Sequence, residues 1–494
     1  MRNTLVIMVA VLGAYGSALL LERVAGLHLG VVIMAVVLAL TLARSRVGRG
    51  ADRTDLVVTL ALLPAVAVAA RGIGQLLGSQ PDPGGALLVL GLSVPVWMRR
   101  FGDRATRMGT LIVLPLVASL IVSQSGAGQA GIGWTVAVAL IACGWVTAVV
   151  LVATRTGFIR PPAIPASDDN SKKQPAAEDR RRAGRVPRLP ASSRMAVQLG
   201  AALSASFLLG RILWPQHWTW VVISAFVVCS GTRGRGDVLY KAILRAGGAV
   251  AGTLAAAGVG SLFGPRADVT VILIFAAIAA ATWLRTYSYA YWAAIITGVI
   301  SLLYSWFGLS AGGPLHTRLY GLLLGAAVAV VISWLVLPVR TGDVLRRRAA
   351  DAVGALRALL GVDRADAGAL RSGQAAYARS IARLSEIAPP LRAQRRLFSR
   401  WLPRARYGAD AVDALARCAD PVSVLALTAA DDPRVAVASR LVGANADAVR
   451  RAIGSRPGVK YRPVTSIDAG VPELTGALRD IDDALGKLSA VFAA

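Results

Sequence analysis

Long apolar runs recur along the chain at about 4–21, 27–43, 56–77, 86–98, 110–123 and 132–153, and again at about 195–213, 218–230, 243–262, 269–284, 289–307 and 319–337. A helix that crosses the hydrocarbon core of a bilayer needs about 20 mainly apolar residues, so these runs predict transmembrane helices in two groups of six. The fourth and fifth are short and need their flanking residues to complete the crossing. Between the groups, residues 155–194 are rich in Pro, Ser and charge, a composition that cannot bury a core and predicts a disordered linker. Beyond Arg340 the pattern changes to apolar residues at helical spacing, as in Val344 to Leu360 and Tyr377 to Leu391, with Pro389, Pro390, Pro403, Pro421, Pro433, Pro457 and Pro472 as punctuation. That predicts about five amphipathic helices.

The expected organisation is all-α: a transmembrane six-helix repeat over 1–154, a linker over 155–194, a second transmembrane repeat over 195–340 and a helical domain over 341–494. Loop charge orients it. Arg44, Arg46, Arg49, Arg53, Arg99, Arg100, Arg104, Arg107, Arg233, Arg235, Lys241, Arg245 and Arg285 fall on one side, and only Arg23, Arg266 and Arg318 on the other. Cytoplasmic loops carry the excess of Lys and Arg, which places the rich set, the linker, both termini and the last domain in the cytoplasm of a cell whose inner membrane holds the chain. Trp214, Trp218 and Trp220 are expected at the opposite face, at headgroup level, where amphipathic rings settle.

An offset of 189 residues pairs Ser17 with Ser206, Leu20 with Leu209, His28 with His217, Arg44 with Arg233, Arg46 with Arg235 and Trp145 with Trp334. Six spans per half set equivalent helices in the same direction. The implied pseudo-twofold axis runs along the membrane normal, with a transport path at or near it.

Composition adds two exclusions. A mean hydropathy of +0.59 and 55% hydrophobic residues are too apolar for a water-soluble chain. A net charge of +27 raises nucleic acid as a partner, but no recognition motif accompanies it and the Arg residues border apolar runs, so the expected surroundings are lipid and no nucleic acid. Three cysteines, Cys143, Cys229 and Cys418, indicate neither a disulfide framework nor a zinc site. No phosphate loop, no His-Glu-x-x-His and no nucleophile elbow occurs, so neither an enzyme nor a cofactor is expected. Acidic groups stay at the ends of spans or in loops: Glu22, Asp55, Asp103, Asp237 and Asp268. An obvious proton relay is therefore missing.

Cations near the spans are the remaining candidates. Arg71 lies late in the third span. Arg23 and Arg211 end the first helix of each half, followed by His28 and His217, and two such pairs about the axis would form a cationic mouth for an anion; the competing reading is that they snorkel to headgroups. Arg285 precedes Tyr287, Tyr289, Tyr291 and Trp292, a guanidinium beside aromatic faces that suits an aromatic carboxylate; the competing reading is an interfacial aromatic belt. Arg245 either acts on substrate or anchors a helix start.

The hairpin from Trp218 to Gly252, an apolar helix followed by Thr232-Arg233-Gly234-Arg235 and an Arg245-x-x-Gly248-x-x-x-Gly252 re-entry, resembles the signature of fusaric acid resistance and aromatic acid exporter proteins, with Ala249 where that family has Thr. The resemblance implies a secondary transporter that exports organic, aromatic-type anions. Two alternatives stand beside it: an anion channel, which the missing acidic relay favours, and a membrane scaffold whose basic domain docks a partner or anionic lipid. A homo-oligomer and an accessory subunit both remain open.

Overall fold

The computed structural model describes residues 2–26, 30–46, 53–124, 131–159, 190–215, 217–260, 267–284, 289–306, 315–402, 407–428, 432–455, 458 and 460–492. His28, Arg285 and residues 160–189 of the expected linker lie outside the described residues. Among those described, the regular structure is helical and contains no strand. The chain forms two compact units, one of Met1–Thr232 with Lys241–Pro338 and one of Arg233–Tyr240 with Val339–Ala494.

A helix covers each apolar run, and apart from Arg235–Tyr240 at the start of α9 these helices belong to the first unit: α1 (Arg2–Ala25), α2 (Gly30–Arg46), α3 (Arg53–Ser79), α4 (Pro81–Met98), α5 (Asp103–Gln124), α6 (Ile132–Arg155), α7 (Ala191–Leu213), α8 (Trp218–Cys229), α9 (Arg235–Gly260), α10 (Asp268–Leu284), α11 (Tyr289–Trp306) and α12 (Leu315–Leu335). By length and composition, five segments among the described residues are long and apolar enough to cross a membrane: α1, Val58–Ser79 of α3, α6, α7 and Arg235–Ala255 of α9. Their packing has membrane character. On α1 the small residues Ala10, Ala14 and Ala18, one turn apart, are fully buried, while Leu5, Val9, Leu12 and Leu20 face outward. Small residues inside let backbones approach, and large apolar residues outside suit lipid.

Helices α1, α2 and α6 pack on one another, and α7, α8 and α12 do the same. The halves also meet reciprocally: α4 packs on α7, and α10 touches α1, where Tyr15 and Phe275 stack edge-on at 4.8 Å. Gln198 of α7 donates its amide to the carbonyls of Ser333, Val336 and Leu337, tying down the exit from α12. Those carbonyls have no partner within a helix that has ended, so the side chain satisfies them.

One expectation is corrected here. At 12 residues α8 rises about 18 Å, short of the hydrocarbon thickness. It is apolar on every side because it is enclosed by protein. Trp218 packs edge-on against Phe207 at 4.9 Å and covers Gly210, and Trp220 lies against Gly321 and Leu322. Both rings are buried, at 5% and 4% exposure, so they serve as packing rather than as headgroup anchors. Trp214, by contrast, is half-exposed.

The second unit holds α13 (Thr341–Leu360), α14 (Ala367–Ser385), α15 (Ala388–Phe398), α16 (Gly408–Arg417), α17 (Ala419–Leu427), α18 (Pro433–Ile453) and α19 (Pro472–Phe492). The prolines open helices instead of closing them: Pro389 and Pro390 lie in the first turn of α15, Pro433 starts α18 and Pro472 starts α19. A helix's first turn has no use for the missing N–H, so more helices fit than the punctuation suggested. One core joins them, with Leu356, Tyr377, Val442 and Leu478 at its centre. Its buried carboxylate is satisfied. Asp482 accepts from the Asn445 amide at 2.7 Å, the Val464 N–H at 3.0 Å and the Tyr461 hydroxyl.

Candidate functional site

Helices α9 and α11 approach at small residues. A Cβ on Gly248 would lie 2.9 Å from the Ala294 amide nitrogen, and one on Gly252 would run into the Ala294 carbonyl. Glycine alone permits that contact. Less than one turn before Gly248, Arg245 enters the same seam and is 1% exposed. Its Nη1 donates to the Thr297 hydroxyl at 2.8 Å and to the Ala293 carbonyl at 3.4 Å; the Thr297 hydroxyl itself donates to Ala293. Its Nε and Nη2 are buried with no hydrogen-bond partner.

That arrangement is expensive. Burying a cation without a compensating charge costs several kcal/mol, and more when its donors are left unmade. The neutral partners Thr297 and Ala293 do not balance the charge. An anion would: the two vacant donors sit side by side on the planar fork that matches a carboxylate. Arg245 is therefore neither a loop charge nor a helix anchor, because α9 begins ten residues earlier, at Arg235.

Toward the start of α11, Tyr289 lies within electrostatic reach of the guanidinium and stacks at 5.4 Å on Trp292. Lys241 sits with its Nζ 5.8 Å from the Tyr289 ring and donates to the Ser230 carbonyl at 3.1 Å. The structure thus brings Arg245, Tyr289 and Trp292 to one seam and adds Lys241 and Thr297. Sequence reasoning missed Thr297, one of several hydroxyls on an apolar helix; a Thr facing a buried cation across a small-residue seam was the only signal.

The other expected cations are elsewhere. Arg211 is bound to Asp82 of α4 at 2.5 Å, so its charge is compensated at the end of α7. Arg23 is exposed at the last turn of α1. His217 caps the start of α8, with its backbone N–H bonded to the Trp214 carbonyl, and is half-buried. Arg71 is half-buried on α3, with its Nη1 3.5 Å from Gln75. Arg285 is outside the described residues, so its place beside Tyr289 is a matter of sequence alone.

No group of three or more His, Cys, Asp or Glu able to hold a metal occurs among the described residues. In the second unit, burial pushes the Cys418 thiol up to about 11, the condition of an inert thiol.

Residues 201–335 match the family model described as fusaric acid resistance protein-like. The match contains the Trp218 to Gly252 hairpin and every member of the Arg245 seam. In this stretch the chain is similar to fusaric acid resistance proteins. No curated protein matches the chain.

Proposed function

We propose, from the fusaric acid resistance protein-like character of residues 201–335, that this chain is an inner-membrane secondary transporter exporting organic anions, and that Arg245 holds the substrate carboxylate. The carrying observation is the buried guanidinium with two vacant donors. Tyr289 and Trp292 supply aromatic faces toward the α11 end of the same seam, which suits an aromatic acid. Two parallel six-helix repeats, with α8 too short to cross the hydrocarbon core alone, fit the recurrence of three-helix packing in each half and the reciprocal α4–α7 and α10–α1 contacts. The positive loops support a cytoplasmic side for both termini and the C-terminal unit.

Export is driven by membrane potential, since the spans carry no acidic group in their apolar bodies to relay a proton. For a monovalent anion leaving an inside-negative compartment, 100 mV supplies about 2.3 kcal/mol, roughly a fifty-fold concentration ratio. The same missing relay favours an anion channel as the second reading.

Proteoliposomes loaded with a benzoate-type anion, with the potential clamped by potassium and valinomycin, test the proposal. Efflux should rise with inside-negative potential and ignore an imposed pH gradient. A chain that moves no organic anion under either force would reduce the protein to a scaffold. Uphill movement driven by a pH gradient at zero potential would replace the coupling mechanism.

A further inference from the structure

The core of the second unit is well closed, yet at the end of α15 it leaves large apolar side chains in the open. Leu397 is 66% exposed, Trp401 82%, and Phe398 and Leu402 are about half exposed or more. They are held there by a folded turn. The Trp401 N–H donates to the Phe398 carbonyl at 3.0 Å, the Leu402 N–H to the same oxygen at 2.8 Å, and the Leu402 carbonyl accepts from the Tyr407 hydroxyl at 2.8 Å. Four large apolar side chains clustered in one exposed turn mark a contact surface.

The charges around it indicate the contact. Arg392 and Arg395, further back on α15, are neutralised by Asp413 and Asp410 at 2.7 and 2.6 Å. Arg396 and Arg400 are exposed and form no ion pair among the described residues. They interleave with Leu397, Phe398, Trp401 and Leu402, so cation and apolar group share one surface. That mixture suits a bilayer interface, where the rings and aliphatic chains enter the headgroup boundary and the guanidinium groups meet lipid phosphate. A protein partner with an apolar groove would gain little from two unpaired Arg inside the patch.

We propose that the turn Leu397–Leu402 docks the second unit on the anionic surface of the membrane that the same chain spans. Two Arg and four apolar residues make a weak anchor alone, but the tether keeps the local lipid concentration high. The proposal does not depend on what the chain transports.

The test uses the full chain in nanodiscs, carrying Ser399→Cys labelled with a bimane probe, with the chain lacking that cysteine as the background control. Lipids brominated along the acyl chain are included in discs of phosphatidylcholine alone or with phosphatidylglycerol. Quenching should be at least twofold stronger in the phosphatidylglycerol discs. It should fall toward the phosphatidylcholine value with Arg396→Gln plus Arg400→Gln, and disappear with Trp401→Ala plus Leu402→Ala, while elution volume and helical circular dichroism stay unchanged. All four replaced side chains are exposed, so the variants keep the core intact. Equal quenching in both kinds of disc, or none in either, overturns the proposal. Blue-shifted emission without bromine quenching also overturns it, because protein rather than lipid would then cover the turn.

Discussion

The two halves of the first unit treat their third and fifth helices differently. Helices α3 and α5 pack on each other, as α9 and α11 do, but the chemistry at the seam is not the same. At the offset of 189 residues, Arg245, Gly248 and Gly252 fall on Leu56, Thr59 and Leu63. Leu63 is fully buried, a bulky apolar residue where the second half has a glycine under a backbone carbonyl. One seam is closed by ordinary packing, and the other is narrowed by glycine around an uncompensated charge. An uncompensated buried charge of this kind marks a candidate functional site. The family match, confined to 201–335, covers the charged seam only. On the proposed reading, the two halves share helix order, and the candidate substrate site lies in the second.

The largest expected effect lies at the charge. Arg245→Gln removes the cation at similar length and should lower anion flux about ten- to a hundredfold, the scale of a lost charge-assisted pair of roughly 1.5 to 3 kcal/mol. Arg245→Lys keeps the charge without the fork and should retain intermediate flux. Leu56→Ala should leave flux per folded molecule within about twofold. Equal losses at both positions would erase the contrast between halves.

Next comes the seam itself. Gly252→Val must push α9 away from Ala294, an overpacking that costs about 1 to 3 kcal/mol, and should lower both the thermal midpoint and flux. Leu63→Val removes one methylene, costs about 1 kcal/mol and should lower only the midpoint. A Gly252→Val chain of normal stability would mean the helices are not held as close as Gly252 and Ala294 indicate.

The smallest effect is expected at the rim. The Arg211–Asp82 pair is partly exposed, and such pairs contribute about 0 to 1 kcal/mol. Asp82→Asn should leave stability nearly unchanged. Flux that rises once Arg211 is released would restore Arg211 to the anion path.

Helix positions were legible because apolar length and helical spacing are local properties. The Arg of the re-entry, Arg245, was legible too, but its role was not. Arg245 reads as one more loop cation until Gly248 and Gly252 are seen to bring Ala293 and Thr297 across to it, and such a long-range approach leaves no periodic trace. The same blindness affected Trp218 and Trp220. Their rings suit an interface, and only the enclosure of α8 by α7 and α12 shows them to be core. The exposed turn at Trp401 was equally hidden, since a Trp between Arg residues gives no sign of whether it points in or out.

Equilibrium binding separates recognition from movement and tests the role of Arg245 most directly. An aromatic carboxylate titrated into purified chain in nanodiscs, followed by heat or by intrinsic tryptophan fluorescence, should bind saturably. It should lose about tenfold or more in affinity with Arg245→Gln, recover part of it with Arg245→Lys, and be displaced by a non-aromatic carboxylate. Unchanged affinity in Arg245→Gln, with the variant folded, would contradict the assignment of the buried guanidinium to the anion.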